Sequence, residues 1–278
     1  MASSGGRPRE LPAATIVICT WGFRDLLLRC LTSLEASIPP DWEIIVVVNA
    51  DVDGTVEVIS ASFPRVHLVA NRRNRGVGPA RNQGLARASS EVVILLDADT
   101  ETPRGALEGL AATLMSEPNI GVVGPRLVSS SGDLQHTARN FPTVLTKIRR
   151  RAPAALRRVL PSDDLADSEL PRDVGYVIGA CQAIRSTALQ DVGLLDEAIF
   201  YGPEDVDLCL RMWKSGWRVV WDPTVTIMHH EQRRTRRKLL SALTLRHGAG
   251  LARYFVKHRY LFRAPRFGQV PAAGVGDR

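Results

Sequence analysis

Short runs of apolar residues, rich in valine and isoleucine, recur along the first half of the chain between turn residues. Such runs are typical of strands that are buried on both faces of a parallel sheet. Apolar residues recur at helical spacing over 24–37, with Leu27, Leu31 and Leu34 on one face, and a second helix is predicted over 103–116. This alternation predicts an α/β fold with a mainly parallel central sheet flanked by helices. Strands are predicted at 15–19, 43–48, 66–69, 91–96 and 120–123.

The regular alternation is interrupted in the middle of the chain. A polar stretch at 129–133 is followed by residues 140–172, which are rich in Arg, Pro and Asp and have little periodicity. Segments of this length without regular structure include active-site lids as well as disordered stretches, so we expect 139–173 to be a mobile excursion. Regular elements are predicted again at 174–179, at 203–215 and at 218–221.

The last part of the chain is strongly basic and amphipathic. A basic amphipathic helix is typical of a membrane-surface element, and a helix packed on a domain has the same pattern, so both interpretations stay open. We expect a disordered N-terminus at 1–12, one domain over 13–230 and a basic helical extension over 231–278. The basic residues of the extension include Arg233, Arg234, Arg236, Arg237, Lys238, Arg246, Arg253, Lys257, Arg259 and Arg263.

Composition and charge narrow the class of protein. The chain has 278 residues, of which 45% are hydrophobic, and this is enough for a sizeable core. The formal net charge of +7 favours an anionic partner. The four cysteines form no C-x-x-C pair, which argues against a zinc knuckle or a disulfide framework and for a reducing compartment. No apolar run is long enough for a signal segment or a membrane span, so we expect a cytoplasmic protein, soluble or peripherally bound to a membrane.

Two carboxylates one residue apart follow the predicted strand at 91–96. Asp97 and Asp99 could hold Mg²⁺ or Mn²⁺ beside a diphosphate, because these cations take oxygen ligands. Acidic residues after strands are also frequent turn formers and helix caps. The segment at 74–84 has glycines and arginines that suit a phosphate, but it also fits an ordinary helix start.

A second acidic group opens the helix predicted at 203–215. Glu204, Asp205 and Asp207 lie in its first turn, where the helix dipole would keep Asp205 ionised and able to accept a proton. The alternative is that these acidic side chains only stabilise the helix through its dipole and take no part in catalysis. His229 and His230 follow the last predicted strand and could add a nitrogen ligand to the same cation, although a lone histidine is more often structural.

The order of these motifs resembles the family 2 glycosyltransferases with the GT-A fold, particularly their bacterial rhamnosyltransferase-like branch. The resemblance runs from about residue 15 to residue 230, and the Glu-Asp-Val-Asp-Leu box is its most specific part. The matching pieces are Thr20–Trp21, Asn49–Thr55, Asn74, Gly76, Ala80–Asn82, Gly84, Leu96–Asp99, Gly132–Gln135, Ile178–Ala180, Val192–Asp196, Glu204–Leu208, Lys214–Trp217 and the terminal histidine.

The resemblance implies an inverting transferase that moves a sugar, rhamnose in this branch, from a nucleoside diphosphate to an acceptor hydroxyl in the synthesis of cell-surface glycans. Asp205 would be the general base, and Asp97, Asp99 and His229 would hold Mn²⁺ or Mg²⁺. Glu204 and Trp217 would lie on the acceptor side, together with the excursion at 139–173. The implied donor-binding residues are Thr20, Trp21, Asn49, Asn74, Gly76, Arg81, Asp97 and Gly179.

The resemblance also implies partners, and two departures bear on the donor. Val48 stands where the family usually has an Asp near the nucleobase, and Phe23 stands where an Arg is usual. The donors to consider are dTDP-rhamnose and UDP- or GDP-sugars. The acceptor would be a glycan or a lipid-linked glycan, with peripheral membrane contact through the basic extension and no nucleic-acid partner.

Three alternative functions fit parts of the pattern. A sugar nucleotidyltransferase would normally have a phosphate loop rich in glycine and lysine after the first strand, but residues 19–26 contain only Gly22 and no lysine. A non-catalytic nucleic-acid binder would use the basic extension, although its interleaved residues are mainly leucine rather than a stacking series. A degenerate transferase that binds a nucleotide sugar without turnover is the third alternative.

Overall fold

A computed structural model describes residues 12–150, 152–165, 167–232 and 242–267. Its central feature is a ten-stranded mixed sheet. The strands of this sheet are β1 (Ala14–Thr20), β2 (Glu43–Asn49), β3 (Val66–Asn71), β4 (Val92–Asp97), β5 (Thr100–Glu101), β6 (Ile120–Val128), β7 (Leu134–Gln135), β9 (Arg172–Asp173), β11 (Cys181–Arg185) and β12 (Arg218–His229). Strands β8 (Ala138–Arg139) and β10 (Tyr176–Val177) form a separate antiparallel pair.

The helices flank this sheet and connect its strands. They are α1 (Arg24–Ser37), α2 (Thr55–Ser62), α3 (Val77–Leu85), α4 (Ala106–Ser116), α5 (Val144–Arg149), α6 (Ala154–Arg157), α7 (Ser186–Val192), α8 (Glu204–Lys214) and α9 (Ala242–His258). Among the described residues, none of the helices combines the length and the hydrophobicity that a bilayer crossing requires.

The sheet has the strand order β3-β2-β1-β4-β11-β6-β12-β5, and its first four strands are parallel. Strand β11 pairs antiparallel with both β4 and β6, while β6 and β12 are parallel to each other. The carboxyl ends of β1, β2 and β4 therefore meet at one edge, where an α/β sheet binds its ligands. Thr20, Asn49 and Asp97 are the residues at these three ends.

The predicted α/β fold is confirmed, and two strands are longer than the pattern indicated. Strand β6 continues to Val128 and β12 continues to His229. Between Asp222 and Thr226 the pairing of β12 with β6 shifts in register, and Pro223 lies inside this irregularity. Proline ends the apolar alternation on which a strand prediction depends. The pairing resumes beyond it, and this carries His229 to the ligand edge.

The core has two clusters of buried residues, one on each face of the sheet. Helices α1, α2 and α4 cover one face with buried residues such as Leu31, Ile59 and Leu110, while α8 and α9 contribute to the other. Tyr254 is fully buried and Phe255 is 7% exposed, so α9 packs on the domain. Of the two interpretations of the basic helix, the structure therefore favours packing for this inner face.

The segment at 139–173, predicted as an excursion without regular structure, contains α5 and α6 among its described residues. A bridge joins Arg139 to Asp164, and Arg139 and Arg150 both pair with Asp163. The predicted N-terminal segment at 1–12 lies outside the described residues except for Pro12, as does the arginine-rich start of the extension at 233–241.

Candidate active site

A cavity of about 470 Å³ opens at the carboxyl ends of β1, β2 and β4. It also receives residues from the start of α8, the end of β12, α5 and α9. Every residue predicted for the site lines this cavity except Trp217. The predicted residues found there are Thr20, Trp21, Asn49, Asn74, Gly76, Arg81, Asp97, Asp99, Gly179, Glu204, Asp205 and His229.

Trp217, which was predicted on the acceptor side, does not line this cavity. Its indole N–H donates to Asp191 Oδ2 at 2.9 Å, and its side chain packs against Gly121, away from the cavity. Helix α8 begins at the cavity and extends for 11 residues, about 16 Å. A residue beyond its far end is therefore distant from Asp205, although the two belong to the same sequence motif.

Asp97, Asp99 and His229 form a compact cluster of potential metal ligands. One ligand atom from each lies within 4.8 Å of the others, and His229 Nε2 lies 3.4 Å from Asp99 Oδ1. The antiparallel pairing of β5 with β12 places His229 opposite Thr100, directly after Asp99. Two carboxylates and one imidazole nitrogen make a set that suits Mn²⁺ or Mg²⁺, so these residues fit the predicted cation.

Gln135 determines which nitrogen of His229 faces this cluster. The amide nitrogen of Gln135 donates to the carbonyl oxygen of His229 at 2.8 Å, and its amide oxygen lies 2.7 Å from His229 Nδ1. Because an amide oxygen only accepts, Nδ1 must carry a proton. Nε2 therefore points toward Asp99 and can bind a proton or a cation. His230 is directed elsewhere, with its Nε2 lying 2.7 Å from Glu101 Oε1.

Arg81 holds two of the carboxylates of the cavity. Its buried guanidinium donates to Asp97 Oδ1 at 2.5 Å, to Glu204 Oε1 at 3.2 Å and to the carbonyl oxygen of Gly179 at 2.7 Å. Burial raises the pKa of Asp97, an effect that the charge of Arg81 opposes and that of Asp99 reinforces. Arg81 was predicted to bind the donor, and the structure shows it foremost as a counter-ion of Asp97 and Glu204.

Burial and the neighbouring Asp205 raise the pKa of Glu204 to about 7, although Arg81 opposes the rise. Glu204 is 6% exposed, and its Oε2 has no hydrogen-bond partner among the described residues. The other oxygen of this buried carboxyl group, Oε1, accepts the hydrogen bond from Arg81.

Asp205 is held in a fixed orientation at the start of α8. Its Oδ2 accepts the backbone N–H of Gly179 at 2.9 Å, and its Oδ1 accepts the backbone N–H of Val206 at 2.8 Å. The carboxylate that was predicted to accept a proton is thus held in place where it lines the cavity.

The residues predicted to bind the donor form one wall of the cavity. Asn49 Nδ2 donates to Asn74 Oδ1 and to the carbonyl oxygen of Gly76, both at 3.0 Å. Gly76 has φ +96°, and a Cβ there would lie 2.8 Å from Phe200, so this position requires glycine. Val48 stands where the family that the sequence resembles has an Asp, and its side chain is buried in the core. The next residue of β2, Asn49, lines the cavity.

Several cavity residues were missed by the sequence analysis. Lys147 and Arg150 come from the segment without periodicity, and Tyr176 comes from a two-residue strand. Leu243 and His247 come from α9, whose amphipathic pattern does not indicate what the helix packs against. Gln135 belongs to a recognised motif piece, but nothing in the motif identifies its partner.

Comparisons with known proteins were made for sequence and for structure. The sequence profile described as Glycosyl transferase family 2 matches residues 15–193. The chain is 28% identical over 270 residues to the N-acetylglucosaminyl-diphospho-decaprenol L-rhamnosyltransferase of Mycobacterium tuberculosis, covering 90% of this chain and 86% of that relative.

Two solved structures have a similar fold. The mannosyltransferase PcManGT from Pyrobaculum calidifontis, in complex with GDP-Man and Mn²⁺, has a TM-score of 0.62 and 22% identity, covering 91% of this chain and 66% of that one. GalNAc-T7 with UDP, GalNAc and Mn²⁺ has a TM-score of 0.62 and 19% identity, covering 80% of this chain and 44% of that one. The chain thus spans less than two thirds of both solved proteins.

Proposed function

Because the chain belongs to glycosyl transferase family 2 and has the GT-A fold and a rhamnosyltransferase-like sequence, we propose that it is an inverting, metal-dependent transferase of a hexosyl group. The donor is a nucleoside-diphosphate sugar, with dTDP-rhamnose as the first candidate and UDP- or GDP-sugars as the others. The acceptor is a hydroxyl of a glycan or a lipid-linked glycan in the synthesis of cell-surface glycoconjugates.

The observation that carries this proposal is the meeting of two acidic groups in one cavity. Asp97 ends β4 and Asp99 lies just after it, whereas Asp205 lies in the first turn of α8 more than a hundred residues later, yet all three line the same cavity. The first pair, with His229, suits a cation beside a diphosphate, and Asp205 suits a proton acceptor. Together these groups are what a direct sugar transfer from a nucleoside diphosphate requires.

In the proposed mechanism Asp205 accepts the proton of the attacking acceptor hydroxyl. The N–H groups of Gly179 and Val206 hold its carboxylate in place before the reaction. Arg81 forms an ion pair with Asp97 and so holds its carboxylate in place. A cation held by Asp97, Asp99 and His229 would neutralise charge on the leaving diphosphate. A single displacement inverts the anomeric carbon, and no covalent intermediate is needed.

Contact with the inner face of the cytoplasmic membrane also belongs to this proposal. The outward face of α9 presents Leu245, 66% exposed, and Val256, 77% exposed, at a spacing of three helical turns, beside exposed arginines. We expect Leu245→Asp with Val256→Asp to reduce sedimentation with anionic phospholipid vesicles. Equal sedimentation of the double variant and the parent would contradict the contact.

The experiment that tests the function is a panel of nucleotide sugars. Release of nucleoside diphosphate from each sugar is measured with Mn²⁺, with Mg²⁺ and with EDTA, for the parent and for Asp99→Ala. We expect one donor to be consumed with a divalent cation only, and Asp99→Ala to lose that dependence with most of the rate. A sugar nucleotidyltransferase would instead release pyrophosphate from a nucleoside triphosphate and a sugar phosphate. Binding of a donor without turnover would indicate a degenerate transferase.

A further inference from the structure

A cationic side chain that the proposed mechanism does not use lines the cavity beside Asp205. Lys147 lies on α5, and within the described part of the chain its ammonium group has neither a hydrogen bond nor an ion pair. Its neighbour Arg150 also lines the cavity but is engaged, because it pairs with Asp163 and donates to the Tyr176 hydroxyl at 3.2 Å. Lys147 is therefore the cation that this wall of the cavity offers to a ligand.

The position of Lys147 is fixed by the packing of α5. Thr143 and Thr146 form a capping box at the start of the helix, with both residues buried. The backbone N–H of Val144 donates to the carbonyl oxygen of Leu261 at 2.9 Å, which ties α5 to the segment after α9. The ammonium group is thus presented to the cavity from a helix that is anchored at its start, unlike a lysine on an exposed surface.

Lys147 lies on the side of the proton acceptor. Arg150, on the same segment, donates to the hydroxyl of Tyr176, and the strand β10 that carries Tyr176 contacts α8, in whose first turn Asp205 lies. The carboxylates that most affect its charge are those of Asp163 and Asp205, whereas Asp97 interacts with Arg81, Asp99 and His229. Burial lowers the pKa of Lys147 to about 8, and the nearby Arg150 adds to the effect. A partly buried ammonium without a partner is unfavourable, and an anion beside it would offset this cost.

We propose that Lys147 binds a phosphoryl group of the acceptor, so that the acceptor is a glycan with a phosphate or diphosphate at its reducing end. The acceptor would then be held between Lys147, at its phosphate, and Asp205, at its hydroxyl. Arg150 adds to the positive potential of this subsite. The inference rests on the proposed function, since it assigns the acceptor of that same cavity.

Binding of inorganic pyrophosphate in EDTA tests this subsite without catalysis and without a cation at the carboxylates. We expect calorimetry to detect pyrophosphate binding by the parent protein and Lys147→Gln to weaken it about tenfold, the loss of one charge-assisted hydrogen bond. Lys147→Arg should keep the affinity within about twofold. Arg158→Gln is the matched control, because Arg158 is an exposed cation on the same segment that does not line the cavity. Equal affinity of the parent and Lys147→Gln, or no binding by the parent, overturns the proposal.

Kinetics with paired acceptors test the same residue in the working enzyme. For a diphosphate-linked acceptor we expect Lys147→Gln to raise KM about tenfold, and for the same glycan as an alkyl glycoside we expect no change. Donor hydrolysis by water should also be unchanged, and an equal loss in all three assays would contradict the assignment. If the parent turns over no donor, the proposed function fails. The pyrophosphate experiment still tests whether Lys147 binds a phosphoryl group, because it does not depend on turnover.

Two further probes distinguish the sources of the phosphoryl group. An isoprenyl diphosphate in detergent represents a lipid-linked acceptor, and a sugar 1-phosphate represents a soluble one. Tighter binding of either probe by the parent than by Lys147→Gln supports the subsite, and the probe that depends more on Lys147 identifies the source. Failure of both probes to depend on Lys147 refutes it.

Discussion

Gln135 and His229 are joined by two hydrogen bonds, one from the amide nitrogen to the histidine carbonyl at 2.8 Å and one between the amide oxygen and Nδ1 at 2.7 Å. Gln135 thus orients the imidazole of a residue that is 94 positions away in the sequence. The pairing of β7 with β6 brings Gln135 to this position. Partners of this kind fix the tautomer of a metal-binding histidine and raise its basicity.

The first prediction concerns this pair. Gln135→Ala removes both hydrogen bonds and leaves His229 free to rotate, so we expect the affinity for Mn²⁺ to fall about 10- to 100-fold. Titration of Mn²⁺ followed by electron paramagnetic resonance measures the affinity directly, without turnover. Gln190→Ala is the matched control, since Gln190 is exposed on α7. Unchanged Mn²⁺ affinity in Gln135→Ala would remove Gln135 from the site.

The second prediction concerns Asp205, the proposed proton acceptor. Asp205→Asn keeps an acceptor oxygen for the N–H of Gly179 or Val206 but cannot take a proton at neutral pH. We expect kcat to fall by about 10² or more, with donor affinity in the presence of Mn²⁺ nearly unchanged. The same substitution at exposed Asp41 is the control. Sugar transfer by Asp205→Asn at the parent rate would show that another group accepts the proton.

The fold and the carboxylates of the site could be predicted because each depends on local patterns. Buried strands appear as continuous apolar runs. Because β1, β2 and β4 are parallel, their last residues Thr20, Asn49 and Asp97 lie at the same edge of the sheet, whatever course the connecting loops take. The full length of β12 could not be predicted, because Pro223 interrupts the pattern while the pairing with β6 continues. His229 was nevertheless proposed, from the order of the motifs.

The remaining parts of the site depend on tertiary packing. Lys147 reaches the cavity because Thr143 caps α5 and Leu261 anchors it, and neither contact has a periodic signal in the sequence. Trp217 lies outside the cavity for the opposite reason. It is close to Asp205 in the motif, but α8 separates them by its whole length. Proximity in sequence therefore predicted a shared site only where no helix intervened.

The third prediction concerns the buried carboxyl of Glu204. Its pKa is raised to about 7 by burial and by Asp205, so the folded state binds a proton more tightly than the unfolded chain. This contribution to stability is present below the ordinary glutamate pKa of about 4.5 and is lost as the pH rises through about 7. Glu204→Gln does not titrate. We therefore expect its free energy of unfolding, relative to the parent, to increase by about 1 kcal/mol or more between pH 5 and pH 8.

Urea unfolding of the parent and Glu204→Gln at both pH values measures this difference. Glu35→Gln, on the exposed face of α1, is the control, and its difference from the parent should not change with pH. A relative stability of Glu204→Gln that stays constant or decreases from pH 5 to pH 8 would mean that the ionised carboxyl is fully compensated by Arg81.

The last prediction tests whether α9 packs on the domain. Gly250 faces the loop before α8, and a Cβ at this position would lie 2.4 Å from the carbonyl oxygen of Gly202, whereas a Cβ at Gly248 on the same helix would contact nothing within 4 Å. Alanine favours a helix over glycine by about 1 kcal/mol, so Gly248→Ala should stabilise the protein slightly. Gly250→Ala should destabilise it by about 1–3 kcal/mol, because backbone atoms must shift. Thermal unfolding of the two variants gives opposite signs if α9 is seated as described. If both variants are stabilised, the helix lies free of the domain, and the cavity lacks the wall that Leu243 and His247 form.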